Sequence, residues 1–280
     1  MTVDVEEYFQ VSAFAGNVAR GDWTTLPSRV VASVDRILQR FDESGVHGTF
    51  FVLGWIAEQH PDLIRRIASE GHELASHGYE HTRVTDQTRD AFKEDVSKTK
   101  KILEDLSGDA VRGYRAASFS INESNLWAHD VLAETGHEYS SSIYPGKHDH
   151  YGMPGASRFA FMPRSEGVLE IPVTTVVGAG RRLPAGGGGF FRLLPYQYFS
   201  WALSRVNTQD ARPAVFYFHP WEIDPDQPRM PNLSLRTRFR HYINLSRFEG
   251  RLRRLLNDFS WGPLASIFEA ERIRGPVTSP

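Results

Sequence analysis

Pro61-Asp-Leu-Ile-Arg-Arg-Ile-Ala-Ser-Glu-Gly71 runs directly into His72-Glu-Leu-Ala-Ser76 and then into His77-Gly-Tyr-Glu-His81. The first segment predicts a helix: Pro61 sits where a first-turn proline belongs, Leu63, Ile64 and Ile67 share a face, and Gly71 stops it. The second, 72–76, predicts a short strand, and the third a polar loop leaving its end. A buried strand at Gly48–Leu53 precedes the helix, so this stretch reads as one strand–helix–strand unit.

The same rhythm extends in both directions. Thr2–Val5 is a strand candidate. Ser28 is placed to cap a helix striped by Val30, Val34, Ile37, Leu38 and Phe41 and stopped at Gly45. Downstream, Phe92, Val96, Ile102, Leu103 and Leu106 stripe a helix ending at Gly108. Strand candidates follow at 111–115, 137–141, 169–174 and 214–218, with helices at 126–132 and 198–206. Strands alternating with helices predict an α/β fold, here a distorted, partly open (β/α) barrel of about seven strands. We expect one domain over 1–280, with 222–280 as an extension packed on the barrel. The stretch from Tyr144 to Phe161, rich in Gly, Pro and His, reads as a long loop.

Composition narrows the chemistry. The 280 residues include no Cys, so thiolate nucleophiles and Cys-based metal sites are excluded, and His and carboxylates remain as metal ligands. A formal net charge of −2 gives no nucleic-acid footprint. The basic stretch Arg236–Arg254 is interleaved with Tyr242, Leu245, Phe248, Leu252 and Leu255, and reads as an amphipathic surface helix with its entry loop. No apolar run is long enough for a membrane span, and no signal peptide is visible, so a cytoplasmic location is the expectation.

Polar residues collect at predicted strand ends, where barrel active sites are built. His77 and His81, four apart, would present both imidazoles to one point if the intervening residues turned helically. Asp4, Glu6 and Glu7 end the first strand, and several carboxylates there are costly unless they pair or hold a cation. Asp4 and Glu6, at alternate positions, would share one side. Arg115, at the end of 111–115, is placed to orient a carboxylate through a bidentate pair. His219 ends the apolar run 214–218, as a buried structural imidazole or as an acid.

In this order the motifs resemble the NodB-type polysaccharide deacetylases of carbohydrate esterase family 4. The closest likeness is to the branch found beside exopolysaccharide and exosortase (PEP-CTERM) loci. The residues that carry it are Thr2–Val11, Ser76–His81, Gly113–Phe119, Gly187–Pro195 and Phe216–Glu222. The resemblance implies Asp4 as catalytic base, His77 and His81 as metal ligands, Arg115 as the residue that orients the base, and His219 as catalytic acid. The family's usual first motif is two adjacent Asp, the second a ligand. Here Val5 follows Asp4, which makes Glu6 the expected substitute and Glu7 the runner-up. Ser140-Ser-Ser142 stands where relatives often place an Asp supporting the acid His, leaving that partner open.

The resemblance further implies a divalent metal, most often Zn2+, and hydrolysis of N-acetyl groups on an N-acetylhexosamine polysaccharide or oligosaccharide, releasing acetate. Tyr79, Tyr144 and Trp221 lie near motif loops and are expected to contact sugar. The Gly186–Gly189 run and the 144–151 loop are expected to shape a substrate groove. Two other readings fit the same barrel: a hydrolase of small cyclic amides of the allantoinase or imidase kind, and a catalytically silent carbohydrate-binding protein.

Overall fold

The computed structural model describes residues 1–149, 151–164 and 167–274. Its strands are β1 (Thr2–Val5), β2 (Thr49–Val52), β3 (Glu73–Ser76), β4 (Gly113–Tyr114), β5 (Tyr139–Ser140), β6 (Leu169–Glu170), β7 (Thr175–Gly178), β8 (Arg181–Pro184) and β9 (Tyr217–Phe218). Seven of them form one sheet in the order β6-β5-β4-β3-β2-β1-β9, with every pairing parallel. Seven parallel strands with helices between them make the expected distorted, open (β/α) barrel. Because all seven run the same way, their C-terminal ends share one rim.

Among the described residues no ladder joins β6 to β9; irregular backbone spans that seam. Thr174 N–H reaches the Val215 carbonyl at 3.3 Å, and Val215 N–H donates to Thr174 Oγ1 at 2.6 Å. Gly187 bridges Tyr217 in parallel, with Tyr217 N–H donating to the Gly186 carbonyl at 2.7 Å. The Gly186–Gly188 stretch is therefore buried structure, and the third glycine opens the helix Gly188–Leu193.

Several strands are shorter than the apolar runs predicting them. Val111, Ile171, Val173, Val215 and Phe216 lie outside the ladder and are nonetheless buried. Packing, not pairing, accounts for their apolarity. The β7–β8 hairpin was not expected. Its turn, Ala179-Gly180, has both φ positive at 48° and 72°, the twist that suits a two-residue hairpin.

The main core joins Val3, Val5, Phe50 and Val52 of the sheet to Val34, Ile37 and Phe41 of the helix Val30–Glu43. Phe248, Leu252 and Leu255 of the helix Leu245–Asp258 belong to the same cluster. The basic stretch forms two helices instead of one, Leu235–Tyr242 and Leu245–Asp258, broken at Asn244, whose φ is 52°. Ser28 does not cap the helix Val30–Glu43. Glu7 does, accepting from the N–H groups of Arg29 (2.9 and 3.0 Å) and Val30 (3.1 Å), while the Ser28 hydroxyl donates to the same carboxylate. A carboxylate there meets two orphan amides and the positive end of the helix dipole. Among the described residues no helix is long and apolar enough to cross a membrane.

Candidate active site

Asp4 lies on β1 and Glu6 just beyond it, His77 directly follows β3, Arg115 follows β4, and His219 follows β9. The parallel sheet thus carries all five to one rim. Glu6, His77 and His81 each bring a ligand atom to within 4.8 Å of the others.

Their local geometry has identifiable causes. The loop after β3 is a turn and not the helical turn expected from the four-residue spacing: Gly78 and His81 have φ of 74° and 54°. A Cβ on Gly78 would also sit 2.8 Å from Asp95 Oδ2, so the position requires glycine twice over. Asp95 accepts from Tyr79 N–H at 3.0 Å and pins the loop; burial pushes its carboxyl up to about 6. His77 Nδ1 lies 2.8 Å from the Arg115 carbonyl. A carbonyl only accepts, so Nδ1 holds the proton and Nε2 offers a lone pair. Burial lowers the pKa of both His77 and His81 to about 4.

Glu6 Oε2 is buried and accepts no hydrogen bond, although His81 Nε2 is 3.0 Å away. Its other oxygen accepts from Trp221 Nε1–H at 3.1 Å. An unsatisfied buried carboxylate oxygen facing imidazole lone pairs is costly without a cation, and the His/carboxylate set suits zinc and other divalent ions. These residues fit a metal. Glu7, engaged at the helix start, does not compete with Glu6.

Asp4 is fully paired on one oxygen. Arg115 Nη1 donates to Asp4 Oδ1 at 2.5 Å and to Thr2 Oγ1 at 2.8 Å. The pair is single-pronged, not bidentate. The remaining guanidinium donors go to the Ser141 carbonyl (3.0 Å) and hydroxyl (2.8 Å), and the group stacks 4.1 Å from the Phe51 ring centroid. Burial alone would raise the Asp4 pKa; Arg115, with His77 and His219, outweighs it and holds the carboxyl below its ordinary value.

His219 faces the same centre, Nε2 lying 3.7 Å from Glu6 Oε1. Its partner is not the Ser140–Ser142 segment, which serves Arg115 and the Ala116 N–H instead. Glu222, three residues on, accepts from His219 Nδ1–H at 2.9 Å and from His219 N–H at 3.2 Å. Arg192 Nε holds the other Glu222 oxygen at 2.7 Å, and both residues are buried. Burial opposes a charge on His219, but Glu6, Glu222 and Asp4 raise its pKa to about 9. Glu222 and Arg192 are the residues sequence reasoning missed. The His-x-x-Glu spacing after Pro220 was the visible signal for Glu222; Arg192 meets it only through tertiary packing.

The expected sugar contacts fare unevenly. Tyr79 is committed elsewhere, its hydroxyl donating to Glu58 Oε2 at 2.5 Å and its ring covered by Lys98 Nζ at 3.2 Å. Tyr144 is buried against Phe119 and Val173. Trp221 stacks between His219 and His241, with centroids 5.0 and 4.2 Å away, and so buttresses His219 and Glu6. It also lines, with Gly189, His148 and Tyr151, a cavity of about 560 Å³ beside His219. Of the glycine run only Gly189 reaches this cavity. In the 144–151 loop, position 150 lies outside the described residues, as do 275–280 of the expected extension.

Residues 25–139 match the family model described as polysaccharide deacetylase, and residues 141–269 match a domain of unknown function, DUF3473. A peptidoglycan-N-acetylglucosamine deacetylase of Bacillus cereus is 36% identical over 94 residues, 33% of this chain and 34% of that protein. A chitooligosaccharide deacetylase of Rhizobium leguminosarum bv. trifolii is 38% identical over 68 residues, 24% of this chain and 32% of that protein. The matches span about a third of these relatives' length. Among solved structures, a candidate polysaccharide deacetylase from Mycobacterium smegmatis aligns over 100% of this chain and 93% of its own, with TM-score 0.63 and 21% identity. PuuE allantoinase aligns over 99% and 90%, with TM-score 0.61 and 16% identity. Both likenesses establish the fold alone.

Proposed function

Taking as premise the polysaccharide deacetylase family, supported by its model over residues 25–139 and by the curated relatives, we propose that this chain is a metal-dependent hydrolase. It removes N-acetyl groups from an N-acetylhexosamine-containing polysaccharide or oligosaccharide. The observation that carries the reading is one rim holding a three-ligand centre with an arginine-held Asp on one side and a glutamate-held His on the other. A binding module has no use for that set.

A divalent metal, zinc by preference, held by Glu6, His77 and His81, supplies when bound the Lewis acidity that polarises the acetyl carbonyl and activates water. Asp4 takes the proton from the attacking water, its free oxygen directed by the Arg115 contact. Arg115 itself is fixed by Thr2, Ser141 and Phe51, so the base has little freedom to misalign. His219 gives its Nε2 proton to the departing sugar nitrogen as the C–N bond breaks, and Glu222 holds the ring through Nδ1. Water and acetamide become acetate and a free amino sugar. Trp221, stacked on His219, is the substrate-facing wall beside it. The likeness of the motif loops supports the exopolysaccharide-associated branch. We read the chain as one domain, because His219 and Glu222, in the second half, complete a centre whose metal ligands lie in the first.

The test is acetate release from a panel of N-acetylated oligosaccharides, with and without chelator, alongside allantoin. Chelator-sensitive release from the glycans alone supports the proposal. Turnover of allantoin alone would replace it with the cyclic-amide reading.

A further inference from the structure

Beside the acid lies a surface that the hydrolytic reading leaves unexplained. The roughly 560 Å³ cavity has Tyr217 and Trp221 at its inner end, the residues that flank His219 in sequence and contact its ring. From there it runs outward between Phe190 and Leu193 of one helix and Phe239 and Ile243 at the other. Leu193 is 46% exposed and Phe239 56%, and Leu235 next to it is 85% exposed. Exposed apolar side chains gathered round a cavity of ligand-binding size mark a binding surface. A sugar subsite would need polar groups converging on hydroxyls, and this outer wall is aliphatic and aromatic. At the rim, Arg236 and Arg240 both reach one carboxylate, Asp149, which leaves their combined charge positive.

We propose that this groove takes an apolar chain joined to the glycan through an anionic group, so that the substrate is an amphipathic, lipid-linked acetamido sugar. The inference rests on the deacetylase reading and names its substrate class. Continuity with the catalytic acid selects the occupant: a chain in the groove, linked at the arginine rim, places an attached sugar towards His219.

The experiment compares an N-acetylglucosamine tetramer with its n-decyl phosphodiester, both below the aggregation concentration. The proposal predicts a KM about 10- to 100-fold lower for the decyl compound with similar kcat, since buried methylenes add binding shared by ground and transition states. Leu193→Ser with Phe239→Ser should reduce that advantage to under threefold and leave both constants for the free tetramer unchanged. Arg236→Gln with Arg240→Gln should weaken binding of decyl phosphate severalfold and leave that of decanol unchanged. Equal KM for the two substrates, or an advantage that survives Leu193→Ser with Phe239→Ser, would overturn it. So would loss, in that variant, of binding to plain phospholipid vesicles with no decyl preference, which would make the face a membrane contact. If neither glycan is hydrolysed, the deacetylase reading fails. Calorimetry of decyl phosphate with wild type and the Leu193/Phe239 variant then decides the groove alone.

Discussion

Asp4 and Glu222 make the sharpest demands on the account, because each is buried and each is tied to one arginine. Asp4→Asn keeps the shape and removes the proton acceptor. It should lower kcat by about 100- to 10,000-fold, while elemental analysis still finds metal, since Glu6, His77 and His81 are untouched. Retained turnover would move the base elsewhere. Glu222→Gln can still accept from Nδ1 but leaves the Arg192 charge unanswered in the interior. Loss of one partner from such a pair costs about 3–5 kcal/mol, so the melting temperature should fall. Turnover should fall by about 10- to 100-fold, the scale for a histidine losing its orienting carboxylate. The fall should be smaller for substrates with a better leaving amine, a dependence that plain destabilisation does not produce. His77, Arg115 and His219 stood out because each follows or closes an apolar run, Asp4 because it lies in a strand that ends in carboxylates, and His81 because it is four residues from His77. The spacing from Asp4 favoured Glu6 over Glu7 along the chain; that the helix start at Val30 claims Glu7 is a tertiary fact.

Among the elements, the Gly186–Gly189 run departs furthest from its expectation. Composition alone allows a linker or a groove wall. Instead Gly186 and Gly187 bond and pack along the β6–β9 seam, and a Cβ on Gly188 would lie 2.2 Å from Glu222 Oε1. Gly188 makes room for the carboxylate that holds His219. Gly188→Ala should therefore lower both melting temperature and turnover on short and long glycans alike. A Cβ on Gly189 would meet nothing within 4 Å, so Gly189→Ala should be neutral or stabilising by up to about 1 kcal/mol. Thermal melts and acetate assays of the two variants check this; equal behaviour would contradict it. The β3 loop carries the same lesson. Two His four apart suggested a helical turn, and positive φ at Gly78 and His81 converged them by another route.

At the scale of the molecule, burial of titratable groups sets an acid limit. Burial, as the main cause, lowers the pKa of His72 to about 4 and of His137 and His241 to about 3. The unfolded chain protonates them near 6.5 and the folded chain does not. Their contribution to stability is therefore full above about pH 6.5 and declines as pH falls towards 3. Asp95, raised to about 6, works in the opposite sense: its contribution grows as pH falls from about 6 to 4 and offsets part of one histidine. Melting temperatures from pH 7 to 4.5 should fall, and His137→Gln should flatten the slope; an unchanged slope would contradict this. Alternating strands and helices made the partly open barrel legible, but not where its seam lies, which depends on contacts between distant segments, nor the β7–β8 hairpin.

The central claim is that Glu6, His77 and His81 hold one divalent ion that acetamide hydrolysis requires. Its most direct test is a titration of chelator-stripped protein with Zn2+, following acetate release from an N-acetylglucosamine oligosaccharide. Release should be negligible at the start and should rise to saturate at one ion per chain. Undiminished release from the stripped protein, or none at any stoichiometry, would contradict it.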